Sequence, residues 1–430
     1  MNDYTKTTAL VAKGKTKEIW GTDNPNVVIM KNLRNITADN DPNKTRAFET
    51  KAISATTTTC RVFELLEQTG IPTAYIKQLS ETEIVAKSCA MIPLEVIARR
   101  YAVGSYLKRH PELGKEEGEM PHRFHRLCFE LFLKTTNGGL SIDGETLISG
   151  LTPDEDDPFI CNPFDNQWTL LHPKTTDKKP LGNVDNGKIL PENIKIKQIE
   201  ELTRKTFLVL EGAWNNLGYR LIDFKLEFGI TNAGELVIAD VIDNDSWRLR
   251  TADWEELSKQ VFREGHPLNE VENKYARVAQ LVSQFRIPKQ ALVFWRGSES
   301  DKLPEVCHIE GLHIEQPVIS AHKKPTYAIE ELERIHTVYP EGGVIIALVG
   351  MSNGLGPTLS ARTDWPVISV CTTANEHPED VWSNLRMPSD VPNLTVLSPK
   401  NAVLSALNIL GEKNPVIYAF RRMAIESLDK

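Results

Sequence analysis

Within Leu221-Ile222-Asp223-Phe224-Lys225-Leu226-Glu227-Phe228-Gly229 apolar and charged side chains alternate from Ile222 to Phe228, the period-two pattern of a strand with one buried face. In such a strand Ile222, Phe224, Leu226 and Phe228 share one side, and Asp223, Lys225 and Glu227 share the other. Two carboxylates and an ammonium on one rigid face cost stability through repulsion and desolvation. Something must offset that cost, and a bound divalent cation carrying a polyphosphate is the obvious candidate. Ile230 to Glu235 holds Asn232 and Gly234 and reads as a hairpin turn, with Leu236 to Ile242 returning alongside. A turn centred near Ala233 and Gly234 sets Asp240 roughly opposite Glu227, close enough to share a metal, and Asp243 and Asp245 follow.

Two further segments offer cations. In Lys13-Gly14-Lys15-Thr16-Lys17 the glycine lets the backbone approach a phosphate while the ammonium groups neutralise it. Taken alone, an exposed basic hairpin explains this segment better. Ile92 to Arg109 runs from an apolar strand into a turn with Arg99, Ser105 and Lys108, donors suited to carboxylate or phosphate. A solvated helix end accounts for it equally well. Near the other end of the chain three polar loops each follow an apolar strand: Arg296-Gly297-Ser298-Glu299-Ser300-Asp301, Ser320-Ala321-His322-Lys323-Lys324 and Gly350-Met351-Ser352-Asn353-Gly354-Leu355-Gly356. In a parallel sheet these loops share the carboxyl edge, where ligands collect. Singly, Ser298 or Ser300 is a plain helix cap and a lone histidine is usually structural.

The elements that must position these residues divide in two. At 430 residues the chain exceeds one ordinary core. Residues 1–265 mix short strands and helices, an α+β pattern, and Cys60 to Thr69 carries a helical stripe closed by Gly70. Thr135 to Pro191 is rich in Asn, Asp, Gly, Pro and Lys and reads as a long surface excursion. A helical stripe through Val271, Tyr275, Val278 and Val282 makes 266–287 a linker helix that stops at Pro288. Residues 288–430 alternate apolar strands (Ala291–Trp295, Val344–Val349, Val367–Val370) with helices (Tyr327–Val338, Ala402–Leu410), which predicts an α/β parallel sheet in a three-layer sandwich. Gly342–Gly350, the longest apolar run, is too short to span a bilayer, and the first residues are polar. Six scattered cysteines fit a reduced, cytoplasmic compartment. A net charge of −8 argues against nucleic-acid binding.

The Lys13–Lys17, Glu95–Arg109 and Asp223–Gly229 segments, in this order and followed by Asp240-Val241-Ile242-Asp243-Asn244-Asp245-Ser246-Trp247-Arg248, resemble SAICAR synthetase over residues 8 to 262. The resemblance implies a fold related to ATP-grasp and kinase-like nucleotide binders, and an ATP-driven amide synthesis that joins L-aspartate to a carboxylated aminoimidazole ribonucleotide (CAIR). By that resemblance Gly14, Lys15, Lys17 and Lys225 contact ATP, while Glu227 and Asp240 hold Mg2+. Arg99, Ser105, Lys108, Asp243, Asp245 and Arg248 are the implied CAIR and aspartate residues. Two departures stand out: Asp39 follows Ile36-Thr37-Ala38 where the family has glycine, and Thr135–Gly139 replaces an acidic run after Phe132-Leu133-Lys134. Asp154-Glu155-Asp156-Asp157 is the available substitute.

The three late loops, with Asp380-Val381-Trp382-Ser383-Asn384-Leu385-Arg386, resemble AIR carboxylase of the animal, class II form. That form adds CO2 directly to aminoimidazole ribonucleotide (AIR), without ATP or biotin. The resemblance implies His322 as the base, with Lys323 and Ser352 beside it. Gly297, Ser298, Asp301 and Ser320 are implied to hold the ribotide, and Ser352 with Asn353 the CO2. Lys324 and Met351 depart from the animal pattern. Together the resemblances imply a bifunctional purine-biosynthetic enzyme assembled as a homo-octamer. Two other readings keep one unit degenerate, or make the later unit a nucleotide-sensing or assembly module.

Overall fold

The computed structural model of the chain describes residues 4–37, 45–48, 50–116, 118–306 and 308–428. Asp39 therefore lies outside the described residues. The chain forms two compact units, Met1–Phe285 together with Glu426–Lys430, and Arg286–Ile425. The stripe in residues 266–287 is a helix, Leu268–Val282, but it is no linker: it belongs to the first unit. Its apolar face needs a partner and finds one on the helix Lys51–Gln68 and around Ile36, Phe48 and Val261. Tyr275 is 1% exposed and meets the Phe48 ring edge-on at 5.7 Å.

Among the described residues, beside two two-stranded sheets, two large ones frame the first unit. The smaller is antiparallel, in the order Lys6–Lys13, Lys17–Thr22, Val27–Asn32, Glu83–Lys87 and Tyr75–Gln78. The larger centres on Tyr219–Thr231, flanked by Leu94–Tyr101 on one side and by Leu236–Ala239 and Trp247–Thr251 on the other. The alternation read in Leu221–Gly229 holds. Its apolar face lies on the helix Ile196–Asn216, where Phe207 and Phe224 meet edge-on at 5.2 Å, and its charged face carries the ion pairs described below. The excursion of residues 135–191 is not a structureless surface loop. It folds as the hairpin Leu140–Ile142/Glu145–Ile148 and then adds Phe159–Ile160, Gln167–Leu171 and Gly182–Asp185 to the large sheet beyond Arg123–Leu133. Trp168 anchors it, fully buried, with Nε1 donating to the Pro163 carbonyl at 3.0 Å.

The second unit has a five-stranded sheet, all parallel, in the order His313–Glu315, Ala291–Arg296, Gly343–Val349, Val367–Cys371 and Leu394–Thr395. Helices Pro325–Val338 and Leu355–Ser360 cover one face through Leu332, Ile335 and Leu359. Pro399–Leu410 and Pro415–Glu426 cover the other through Leu407, Leu410 and Ile417. With both faces covered, every residue of Gly343–Val349 is buried, the signature of an inner parallel strand. Among the described residues no helix is long and apolar enough to cross a membrane.

Candidate active sites

On the charged face of the large sheet, Asp223 pairs across the ladder with Arg99, and Lys225 with Ile97. Side chains two residues apart share a face, so Glu95 reaches Lys225 at 2.6 Å, and Lys225 also lies 3.3 Å from Glu227. Lys134, one residue past Arg123–Leu133, closes on Glu227 at 2.6 Å. Burial raises the affinity of the Glu227 carboxyl for a proton, but Lys225, Lys134 and Lys17 outweigh it and hold the group below its ordinary range. Lys225 is pulled down by burial and pushed above its ordinary value by Glu95 and Glu227. Neither Lys134 nor Glu95 is distinguished in the sequence as a site residue. The signal for both is their place on the charged face, which only strand pairing reveals.

The register corrects one expectation: the residue opposite Glu227 is Ala239, not Asp240. Asp240 comes just past the strand with φ +63°, and this left-handed turn redirects its carboxylate. Lys17 pairs with Asp240 and also feels Glu227, so the two acids converge through a lysine and a turn. Gly14 and Lys15 sit in the exposed turn before Lys17, where Gly14 N–H donates to the Lys17 carbonyl at 2.9 Å. Among the described residues no three His, Cys, Asp or Glu side chains cluster as a ready metal cage. A pair of carboxylates flanked by ammonium groups nonetheless suits Mg2+, which keeps waters and takes its remaining ligands from phosphates.

Burial lowers the Lys17 ammonium to about 8 despite Glu227 and Asp243. Its charge is therefore held below pH 8 and lost above it. On the ATP contact that the resemblance implies for Lys17, nucleotide affinity, measured by calorimetry, is expected to weaken as pH rises from 7 to 9, and Lys17→Met to flatten that profile. The folded chain binds this proton less tightly than the unfolded one, so the cost of this lysine to folding is relieved as pH rises from about 8 to 10.5, and this group does not destabilise the fold over the range in which binding weakens.

Of the acidic run Asp154–Asp157, the last two residues lie against Thr135 next to this cluster, while Asp154 pairs with His172 and Glu155 with Thr152. Thr135 N–H donates to Asp157 Oδ1 and Asp157 N–H donates to Thr135 Oγ1, both at 2.9 Å, while the Thr135 hydroxyl also donates to Asp156. Burial raises the Asp157 carboxyl to about 6; Glu95 and Asp156 add to this, against the Thr135 amide and Lys225.

Further along the same face, Arg99 is 2% exposed and bonded to Glu130, Asp223 and, at 3.2 Å, Ser105 Oγ. Arg99 is thus a strut rather than an open anion donor. Arg248 shares Asp223 and lies under Gly104. Lys108 is exposed on the short helix Ser105–Arg109. Asp243 and Asp245 are not presented to a ligand. Lys51, itself 2% exposed, sits 3.6 and 3.4 Å from them, and Asp245 also takes Lys259 at 3.3 Å and the Tyr275 hydroxyl at 2.5 Å. A buried ammonium requires such partners, so these acids are engaged in holding the helices. Gly104 has φ +61°, and a Cβ there would lie 2.5 Å from Arg248 Nη2. On the ribotide contact that the resemblance implies for Arg248, Gly104→Ala is expected to displace this guanidinium and weaken ribotide binding by about tenfold or more while nucleotide binding persists, read by titration of each ligand.

In the second unit, Gly297, Asp301, Ser320, His322 and Ser352 line one open cleft with about 300 Å³ of empty space. The cleft lies at the carboxyl ends of Ala291–Arg296 and Gly343–Val349, where a parallel sheet gathers ligands. His322 rests against Gly354, where a Cβ would fall 2.1 Å from Nε2. The Asp301 carboxylate accepts from the Ser298 amide at 3.0 Å, and the Ser298 hydroxyl pairs with Ser300 at 2.9 Å, which ties that loop. Lys323 is exposed beside the cleft, its N–H 3.4 Å from Ser320 Oγ. Asn353 departs from expectation. It is 6% exposed, donating to Ser369 Oγ at 2.9 Å and accepting from Gly356 N–H at 2.7 Å, so its amide braces the loop instead of facing CO2.

The family model for SAICAR synthetase matches residues 10–146 and 183–282, and that for AIR carboxylase matches 293–425. Over 434 residues the chain is 35% identical to the probable multifunctional protein ADE2 of Caenorhabditis elegans, covering 95% of this chain and 91% of the relative. The chain belongs to the bifunctional AIR carboxylase–SAICAR synthetase family. The human bifunctional phosphoribosylaminoimidazole carboxylase/phosphoribosylaminoimidazole succinocarboxamide synthetase is 33% identical over 438 residues, covering 96% of this chain and 92% of the relative. A solved SAICAR synthetase in complex with ADP covers 64% of this chain and 98% of that one, at 26% identity and a TM-score of 0.48. The match to the synthetase model runs through the helix Leu268–Val282, in keeping with that helix's place in the first unit. Residues 147–182, which hold Trp168 and the Asp154–Asp157 run, fall between the two segments that the family's model matches.

Proposed function

We propose that the two units perform consecutive steps of purine biosynthesis. The second adds CO2 to AIR, giving CAIR; the first condenses CAIR with L-aspartate at the expense of ATP, giving SAICAR, ADP and phosphate. The observation that carries the ligase reading is Lys17, Lys134 and Lys225 interleaved with Glu95, Glu227 and Asp240 at one end of a rigid sheet face. Phosphoryl transfer asks little covalent chemistry of a protein; it needs cations aligned on the moving charge. Mg2+, held by Glu227 and Asp240, would supply a fixed positive charge for the phosphates. The lysines neutralise the polyphosphate, and the Arg248–Ser105 end of the face holds CAIR with its carboxylate toward the nucleotide. That carboxylate takes the terminal phosphoryl group from ATP, and the aspartate amine then displaces phosphate to form the amide.

In the second unit the ring carbon of AIR, an enamine carbon, attacks CO2 and becomes tetrahedral. His322 takes the ring proton and aromaticity returns. Gly297, Ser298, Asp301, Ser320 and Lys323 are assigned to the ribotide, and Ser352 to the nascent carboxylate. We also place the protein in the cytoplasm as a homo-octamer built on the second unit. Met351, Trp382 and Leu385, all more than half exposed there, support burial against further copies. Two assays on the purified full chain test the assignment: carboxylation of AIR from CO2 without ATP, and aspartate- and ATP-dependent consumption of CAIR. Loss of either would remove the corresponding unit from the scheme.

A further inference from the structure

The strand Leu94–Tyr101 carries Arg99 and Arg100 side by side on opposite faces. Arg99 belongs to the charged face; Arg100 is 0% exposed on the other. Beside Arg100 the ladder to Arg123–Leu133 is broken: Tyr101 pairs with Arg123 and Arg99 with Cys128, which leaves residues 124–127 opposite a single residue. A break of this size orphans backbone groups, and buried orphans must find partners. Arg100 Nη1 donates to the Phe124 carbonyl at 3.1 Å and the His125 carbonyl at 2.7 Å. Its Nε and Nη2 donate to Glu211 at 2.7 and 2.9 Å.

The rest of the arrangement comes from Glu426, which is 4% exposed and part of the first unit. Its Oε1 accepts from Arg100 Nη2 at 2.8 Å, and its Oε2 accepts from the Leu127 N–H at 3.0 Å with Arg204 Nη1 3.8 Å away. Glu426 therefore does what a neighbouring strand would do: it takes the orphaned amide of the break and completes the bonding of Arg100. We infer that Glu426 is a positioning residue for the ligase site, holding the strand that carries Arg99, and with it the Asp223–Arg248 pair, in the register CAIR requires. This rests on the ligase reading of the first unit.

The test uses the full chain with Glu426→Ala and the milder Glu426→Gln, which keeps one acceptor where two donors face it. Three quantities are read: calorimetric affinity for CAIR, affinity for Mg·ADP, and hydrogen exchange at the Leu127 amide. For Glu426→Ala, CAIR affinity is expected to fall by about tenfold or more and Leu127 to exchange faster, with the Gln variant between it and wild type. Mg·ADP, bound at the far end of the face, is expected to stay within about twofold, which shows the unit folded. Faster exchange at Leu127 with CAIR affinity unchanged would reduce Glu426 to a brace and overturn the inference. So would an equal loss of both ligands in the Gln variant. A wild-type chain that binds Mg·ADP but no CAIR would instead contradict the ligase reading on which the inference rests.

Discussion

Replacing His322 by Asn is expected to abolish carboxylation while aspartate ligation of supplied CAIR continues at its wild-type rate. Asn fits the space and keeps a polar end but has no basic nitrogen, so it cannot take the ring proton. A positioned general base contributes about 10²–10⁴-fold, and the loss should lie in that range. The side chain is well placed for the role: it lines the cleft with Asp301, Ser320 and Ser352, and Gly354 leaves room for its ring. Gly354→Ala supplies an independent check. A methyl 2.1 Å from Nε2 must push the imidazole aside, so this variant should lose carboxylation too although its base is intact. Steady-state assays of both reactions on each variant decide the matter. Carboxylation surviving in His322→Asn would remove His322 from the mechanism. Ligation lost in either variant would mean that the substitutions damage more than the cleft.

Legibility in the sequence followed the range of the interactions involved. Leu221–Gly229 announced its two faces because alternation is a property of the strand itself. The inner strands of the second unit were legible within a residue or two as unbroken apolar runs. The apolar stretch before Ser320 is only an isolated bridge at Val318, and the edge strand there is the polar His313–Glu315. The helix Lys51–Gln68 was seen only from Cys60 onward. Its first half is Thr-rich, poor in intrinsic helix formers, and is kept helical by burial of Thr56, Thr58 and Thr59 in the tertiary structure. Gln167–Leu171 and its neighbours were missed because two to five residues between turns are too few to display a period. In the sites, residues that contact one another along a strand or loop were readable. Those that meet across the ladder were not: Glu95 with Lys225, Lys134 with Glu227, and the Lys51–Asp245–Tyr275 network that removes two acids from the candidate binding set. Spacing also misplaced Asp240, because hairpin register depends on where the return strand stops, and a single left-handed residue resets the direction.

That redirected aspartate makes the Glu227→Gln variant the sharpest probe of the first unit. The substitution keeps shape and hydrogen bonding but removes the charge on which Lys134 and Lys225 both bear. Lys225 retains Glu95 at 2.6 Å, and Lys134 is partly exposed, so neither ammonium is left buried without compensation and the fold should survive. The function should not. With only Asp240 remaining, one of two anionic anchors for the cation is gone, and an electrostatic anchor of a transferring phosphoryl group is worth about 10²–10³-fold in rate. Ligation is expected to fall by that factor, the affinity for Mg2+ in the presence of ADP to weaken in a direct titration, and carboxylation to be untouched. The same titration on Asp240→Asn should give a loss of similar size, since the proposed assignment gives both acids to one cation. If Glu227→Gln ligates normally, the carboxylate is a structural partner of Lys134 and Lys225, and the cation must be held elsewhere. If Glu227→Gln fails and Asp240→Asn does not, the redirecting turn at Asp240 serves Lys17 alone, and the shared-metal assignment fails with it.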